Sequence, residues 1–337
     1  MLNKEINKAL AKQNFSAGEM EEILSKLASK TESPEQMAAF LIALRMKGET
    51  VEELTGAARF LRRKGQFIDT GAAEVMDIVG TGGDESYSFN ISTTSSFVAA
   101  GAGVIVAKHG NRSVSSKCGA ADVLQALGFN LETSPESMEE SIRENRIGFL
   151  FAQKMHPILG NVAPLRKALG VRTIFNMIGP LTNPAGATTQ LTGVYDGAIT
   201  ELVAGALREL GVKRAMVVHS EDGMDEISCN VPTRVSELKD GLISTYDLEP
   251  SLYLEDFEGG KIGGGAPEEN AKILLDVLEG KDRGANRAVT LINSGAAIYI
   301  YGLAKDLREG VKMAEESIDK GFARQKLDEL VTASKNA

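Results

Sequence analysis

Two stretches of this chain combine residue types that bind phosphate. The first is Gly80-Thr81-Gly82-Gly83-Asp84, with Ser88 and the run Asn90-Ile91-Ser92-Thr93-Thr94 close behind. The second runs from Lys108 through His109, Gly110, Asn111, Arg112, Ser113, Val114, Ser115 and Ser116 to Lys117. Adjacent glycines let backbone N–H groups approach an anion closely. The run from Asn90 would open a helix, where unpaired N–H groups and the helix dipole favour negative charge. In the second stretch Lys108, Arg112 and Lys117 can neutralise an anion, while Asn111, Ser113, Ser115 and Ser116 position it. Each stretch follows an apolar, strand-like run (75–79 and 104–107) and precedes a helix-like one. Two strand–loop–helix units in tandem would place two phosphate-sized cradles at one edge of a parallel sheet. A ligand with more than one phosphate group fits that layout.

The glycines match neither common nucleotide fingerprint. Asp84 and Glu85 stand where a P-loop needs Lys and Ser or Thr, and the third glycine of a dinucleotide loop is missing. A third cluster, Glu221, Asp222, Asp225 and Glu226, puts four carboxylates within six positions. Such a run is either a solvated loop or a cation site. Mg²⁺ takes one or two carboxylates and shares its other positions among waters and substrate phosphates, which makes Asp225 and Glu226 the candidate ligands beside a diphosphate. His109, His156 and His219 have no metal-ligand spacing, and Cys118 and Cys229 form no metal pattern. Arg166 and Arg172 both lie in the segment 163–172, and spacing alone does not choose between them as an anion clamp.

The elements that must position these groups change character near Thr70. Residues 2–65 read as four short helices. Ser16 with Glu19, Ser33 with Gln36 and Thr50 with Glu53 have capping-box spacing, Pro34 suits a first helical position, and Gly48 and Gly65 read as stops. Beyond Thr70, apolar runs alternate with helical stretches. Helices are expected over 92–101, 121–127, 135–145, 199–210, 267–278, 286–301 and 307–333, with further strands over 190–195 and 214–219. The stretch 239–265 reads as irregular with one short antiparallel strand. This alternation predicts an α/β fold: a small N-terminal α-helical domain plus a large α/β domain with a mainly parallel central sheet.

Composition is that of an ordinary globular chain, 337 residues with 43% hydrophobic and 25% charged side chains. The net charge of −9 argues against a sequence-independent nucleic-acid binder, which needs a basic surface. No apolar run of about 18 residues is present, and the N-terminus carries no signal-peptide pattern. No membrane association and a cytoplasmic location are the expectations.

Four long motifs carry a resemblance: DIVGTGGDESYSFNIST, KHGNRSVSSKCGAADVLQALG, HPILGNVAPLRKALGVRTIFNMIGPLTNPAG and EDGMDEIS. In these, and over nearly the whole chain, the sequence resembles the anthranilate phosphoribosyltransferases of tryptophan biosynthesis. The resemblance implies a helical domain over 1–70, with a contribution from about 165–185, and an α/β domain over 71–337, usually in a homodimer. It implies transfer of the phosphoribosyl group of 5-phosphoribosyl 1-diphosphate to anthranilate, with Mg²⁺. By motif, Gly80, Gly83, Asp84, Ser88, Asn90, Ile91, Ser92 and Thr93 would bind the donor, with Lys108 to Ser116 as its second wall. Ser92, Asp225 and Glu226 would hold the metal; Gly80, Asn111 and Arg166 would contact anthranilate, and His109 would line the same pocket. Ala120 stands at a donor-side position where many members have Ser. Some members also bind a glutamine amidotransferase partner. A pyrimidine nucleoside phosphorylase shares the fold, but no nucleobase-reading set replaces HPILGNVAPLRKALG; a non-catalytic nucleic-acid-binding relative would need a basic groove.

Overall fold

The computed structural model describes residues 2–29, 32–84, 86–113, 117–254 and 257–335. Val114, Ser115 and Ser116, expected in the donor site, lie outside the described residues.

The chain opens with α1 (Asn3–Leu10), α2 (Ala17–Ala28), α3 (Pro34–Lys47) and α4 (Val51–Lys64). Ser16 and Thr50 close reciprocal capping boxes with Glu19 and Glu53. Ser33 accepts from the Gln36 N–H, but the Gln36 side chain serves α1 instead, accepting from the Leu2 N–H and donating to Asn3. Glu53 is fully buried. Its two oxygens accept from the N–H groups of Phe15 (2.9 Å) and Thr50 (2.9 Å) and from Lys47 Nζ (3.0 Å). One carboxylate thereby ties the α1–α2 turn to the α3–α4 turn.

The α/β part carries β1 (Met76–Gly80), α5 (Ile91–Gly101), β2 (Val106–Gly110), α6 (Ala120–Ala126), α7 (Pro135–Asn145), β3 (Ile147–Phe151), α8 (Ala152–Met155), α9 (Ala163–Leu169), α10 (Phe175–Ile178) and β4 (Thr189–Gly193). It continues through α11 (Thr200–Glu209), β5 (Arg214–Ser220), β6 (Thr233–Lys239), β7 (Leu242–Leu248), α12 (Pro267–Leu278), α13 (Ala285–Tyr301), α14 (Leu307–Asp319) and α15 (Phe322–Lys335). The strand order is β3-β2-β1-β4-β5-β6-β7. Pairings from β3 to β5 are parallel, and β6 and β7 add an antiparallel edge. The expected class, a helical part plus a mainly parallel α/β part, is what the chain forms.

Alternate residues of β5 face different cores, as the two-residue period of a strand requires. Met216 and Val218 pack with α5 and α13, whereas Ala215 and Val217 join α11 and the apolar interior of α1–α4. Ile174, Phe175, Met177, Ile178 and Leu181 belong to that second core, so the segment after α9 is part of the bundle's packing.

Several expectations need correction. The single helix expected over 307–333 is two, because Gly321 takes a left-handed φ of +76° and breaks the run. Strand β2 lies two residues later than expected, so Lys108, His109 and Gly110 end a strand instead of opening a loop. Strands β3 and β6 were not anticipated; β6 and β7 form a hairpin in place of a lone strand in an irregular stretch.

Candidate active site at the sheet's carboxyl edge

The strand order reverses at β1, which lies between β2 and β4. Crevices at such a switch point, outside the carboxyl ends of the strands, are where open α/β sheets bind ligands. The final residues of β1 and β4 are glycines paired in register, Gly80 and Gly193. A Cβ on Gly80 would overlap the Asp225 carboxylate, and one on Gly193 would overlap the Asp225 main-chain carbonyl. Two absent side chains thus make the hole in which the loop after β5 seats its acid.

That loop is held from three directions. Asp222 accepts from the hydroxyls of Ser220 and Ser228 and pins the turn from within. Asn293, buried on α13, clamps Ile227 by accepting from its N–H (3.0 Å) and donating to its carbonyl (2.8 Å). Asp225 accepts from the Gly82 N–H at 2.7 Å, which joins the acid loop to the glycine loop. Asp222, counted in sequence among four similar carboxylates, is therefore a staple, while Asp225 and Glu226 face the switch point.

Burial raises the Asp225 carboxyl above its ordinary range, and the carboxylate of Asp84 raises it further. Glu226 is raised by burial and then by Asp225, against the pull of Lys108 and the Ser92 N–H. Lys108 is buried at the end of β2, where its ammonium donates to the Ile78 carbonyl (2.6 Å) and Ser92 Oγ (3.3 Å). Burial lowers its pKa, opposed by Asp77, Glu226 and Asp225. Crowded, desolvated carboxylates beside a hydroxyl make a donor set suited to a hard divalent cation. Among the described residues no three His, Cys, Asp or Glu side chains form a complete metal site. Two carboxylates supplemented by ligand phosphates match Mg²⁺ instead, so the residues present fit that ion.

The glycine loop takes φ values of +64° at Gly82 and +76° at Gly83, a conformation that favours glycine. Asn90 precedes α5, but its amide is engaged: it donates to the Cys118 carbonyl (3.2 Å) and accepts from Asn270 (3.0 Å). Ile91 is buried, and the hydroxyl of buried Thr93 has no partner among the described residues. Ser88 bonds Ser86. In the second wall, Asp122 accepts from the N–H groups of Ser113 (3.0 Å) and Gly119 (2.9 Å) and from Arg112 (2.7 Å). Arg112 also reaches Gln125, so its guanidinium shapes the loop. Asn111 Oδ1 accepts from the Arg112 N–H (2.8 Å) and from Gln153 (3.2 Å). Ala120 begins α6, in contact range of the space beside Gly110.

His109 is buried with its ring 5.3 Å from that of His156, edge to face. Burial, then His156, Lys108 and Arg62, hold its pKa down to about 3. Its backbone N–H donates to Asp77, whose other oxygen accepts from Asn183. Asp77, Asn183, Gly193 and Asn293 all escaped the sequence reading. The partners of Asp77, Asn183 and Asn293 lie 32 to 106 residues away, beyond any local pattern.

Arg166 and Arg172 now separate. The Arg172 guanidinium donates to the Gly83 carbonyl and lies 4.1 Å from the centre of the Tyr195 ring. The Arg166 guanidinium, on α9, rests 5.6 Å from the Phe175 ring and makes no hydrogen bond or ion pair among the described residues. Burial lowers its pKa.

The glycosyl transferase family a/b domain matches residues 72–324, and the helical bundle domain of the same family matches residues 4–65. An anthranilate phosphoribosyltransferase of Desulfosudis oleivorans is 53% identical over 270 residues, 80% of each chain. That of Desulfatibacillum aliphaticivorans is 52% identical over 265 residues, 78% of each chain. The crystal structure of the Thermus thermophilus anthranilate phosphoribosyltransferase superposes with a TM-score of 0.92 at 38% identity, covering 98% of this chain and 99% of that one. The Saccharomyces cerevisiae enzyme in complex with PRPP and Mg gives 0.89 at 28% identity, covering 100% and 98%. This chain belongs to the anthranilate phosphoribosyltransferases of the glycosyl transferase family.

Proposed function

We propose that the chain joins the amine of anthranilate to the phosphoribosyl group of 5-phosphoribosyl 1-diphosphate, releasing diphosphate in the second step of tryptophan biosynthesis from chorismate. The observation that carries this reading is the Asp225–Glu226 pair, with Asp225 lodged against Gly80 and Gly193 beside the glycine loop and Glu226 by the Ser92 N–H at the start of α5. The yeast relative's complex with PRPP and Mg supports it.

The acceptor is an aromatic amine, largely uncharged at neutral pH, so its lone pair is available without a base. A C–N bond forms at the anomeric carbon as the C–O bond to diphosphate breaks, and the amine proton passes to diphosphate or water. The costly event is the charge that gathers on the leaving group. Ser92, Asp225 and Glu226 would hold Mg²⁺, which supplies positive charge to the departing diphosphate. N–H groups of the 80–84 loop and of the α5 start are fixed donors to the same charge and need no reorganisation. Gly80, Gly83, Asp84, Ser88 and Asn90 to Thr93 line the donor side. Lys108 to Ser113 and Ala120 line its other wall. A missing hydroxyl at Ala120 weakens donor affinity only modestly. Lys108 offsets the acidic pair from below. Asn111 and Arg166 contact anthranilate near Gly80. Arg166 is the carboxylate clamp, because its fork is uncommitted while that of Arg172 is engaged.

The helical unit over 1–70, with a contribution from 165–185, and the α/β unit over 71–337 close on the site between them. The family domain boundaries and the bundle core's inclusion of Ile174 to Leu181 support this division. A cytoplasmic homodimer, with a glutamine amidotransferase partner in some organisms, completes the reading. No helix among the described residues is long and apolar enough to cross a membrane.

The test is loss of anthranilate fluorescence on adding protein, 5-phosphoribosyl 1-diphosphate and Mg²⁺, with each omitted in turn. Consumption that requires all three is expected. A folded protein that consumes none would sink the assignment.

A further inference from the structure

We infer that Arg172 is a positioning residue for the donor loop, acting with Tyr195; the inference rests on the reading of the 80–84 loop as the diphosphate cradle. The loop has little shape of its own. Gly82 and Gly83 both take positive φ, and glycine peptides lose more conformational freedom on ordering than any others. Its form must come from outside: the Thr81 N–H donates to the Gly193 carbonyl (3.0 Å), Asp84 accepts from the Asp225 N–H (3.4 Å), and three further contacts add to these. The Thr81 hydroxyl accepts from the Tyr195 N–H (3.0 Å), the Gly82 N–H donates to Asp225 (2.7 Å), and the Gly83 carbonyl accepts from Arg172.

The third contact decides which way a peptide plane faces. In a trans peptide the C=O and the following N–H point in opposite directions. Holding the Gly83 carbonyl toward Arg172 turns the Asp84 N–H away from it. With glycine at position 83, the opposite orientation of that plane costs little by itself. A flipped plane would exchange a donor for a carbonyl oxygen in a site built for phosphate. Arg172 is itself fixed, since its guanidinium lies over the Tyr195 ring. Tyr195 is held in turn by its N–H to Thr81 and by Arg45 of α3 beside its hydroxyl. A planar fork can stack on an aromatic face and donate from its edge at once, which an ammonium cannot. Arg172 thereby serves the donor from the segment that carries Arg166.

Titration calorimetry of 5-phosphoribosyl 1-diphosphate with Mg²⁺, without anthranilate, tests this apart from turnover. Against wild type, Arg172→Ala should weaken donor binding about tenfold, the scale of one charge-assisted hydrogen bond. Arg172→Lys should recover part of that loss. Tyr195→Ala should resemble Arg172→Ala, and the double variant should fall short of the sum, because the pair acts as one unit. In steady state the donor KM should rise and the anthranilate KM should hold. A rise confined to the anthranilate KM would make Arg172 an acceptor contact and overturn the inference while leaving the reaction intact. A lowered melting temperature with unchanged donor affinity would reduce it to a packing role. Failure of the wild type to bind the donor would instead remove the reading beneath it.

Discussion

The two walls of the site are built on opposite plans. On the sheet side, groups are held more than once: Asp225 by Gly82, the acid loop by Asp222 and Asn293, and Lys108 by Ile78 and Ser92. On the other side, α9 has no buried residue, and the Arg166 guanidinium lies against the Phe175 ring with no side-chain hydrogen bond among the described residues. The difference fits the chemistry proposed for each wall. Charge stabilisation works best from groups fixed before the reaction, since their ordering cost is met at folding. An acceptor clamp must admit and release a substrate, so an unpaired fork on a lightly packed helix serves it better.

The contrast breaks most visibly at the acid pair. Asp225→Asn with Glu226→Gln should lower kcat by roughly 10³-fold, typical for loss of a fixed electrostatic contact. The melting temperature should not fall, because burial already disfavours both charges in the ligand-free fold. Unchanged turnover at saturating Mg²⁺ would take the pair out of the mechanism. On the opposite wall, Arg166→Ala should raise the anthranilate KM by about 30-fold and leave stability within about 0.5 kcal/mol. A defect on the donor side alone would show that the two walls are not divided as drawn. Gly193→Ala adds one methyl group against a main-chain carbonyl that cannot swing aside. It should cost about 1–3 kcal/mol in chemical denaturation and raise the donor KM before the acceptor KM.

The last test concerns pH. His109 stays neutral in the fold down to about pH 3. The unfolded chain takes up a proton below roughly 6.5. The unfolded state therefore binds more protons, and stability falls as pH drops from about 6.5 toward 3, by up to about 1.4 kcal/mol per unit. Buried Asp77, raised to about 6, acts in the opposite sense: the fold keeps a proton that the unfolded chain loses between about pH 4 and 6. Comparing denaturation of wild type and His109→Asn at pH 7 and pH 5 isolates the histidine. Parallel curves would mean that His109 can be protonated in place.

What could be read from the sequence was whatever is local. The caps of α2 and α4 span three residues, and the ends of α7 and α12 agree with the 135–145 and 267–278 expectations. Motif order located the loops, and the helical-plus-α/β class followed from the change of period near Thr70. Strand β3 was missed because it begins directly after Arg146, itself in a left-handed conformation, with no turn sequence to announce it. Strand β6 mixes charges into its alternation. In the bundle, Ser33 and Gln36 show the limit of spacing: the motif is present, yet the glutamine has a better partner on α1. Nothing near Asp77 in sequence reveals Asn183, and nothing near Glu226 reveals Asn293.

The register-matched glycines of β1 and β4 bear on how such a site can arise or be lost. An ordinary parallel sheet with side chains at both positions has no room for the acid, and clearing one position alone still leaves the other filled. The first change brings no benefit without the second, so the two positions behave as a joint lock in sequence space. A design that transplanted only the acidic loop into another sheet would therefore fail, however faithfully it copied the charges, until both methyl groups had been carved away.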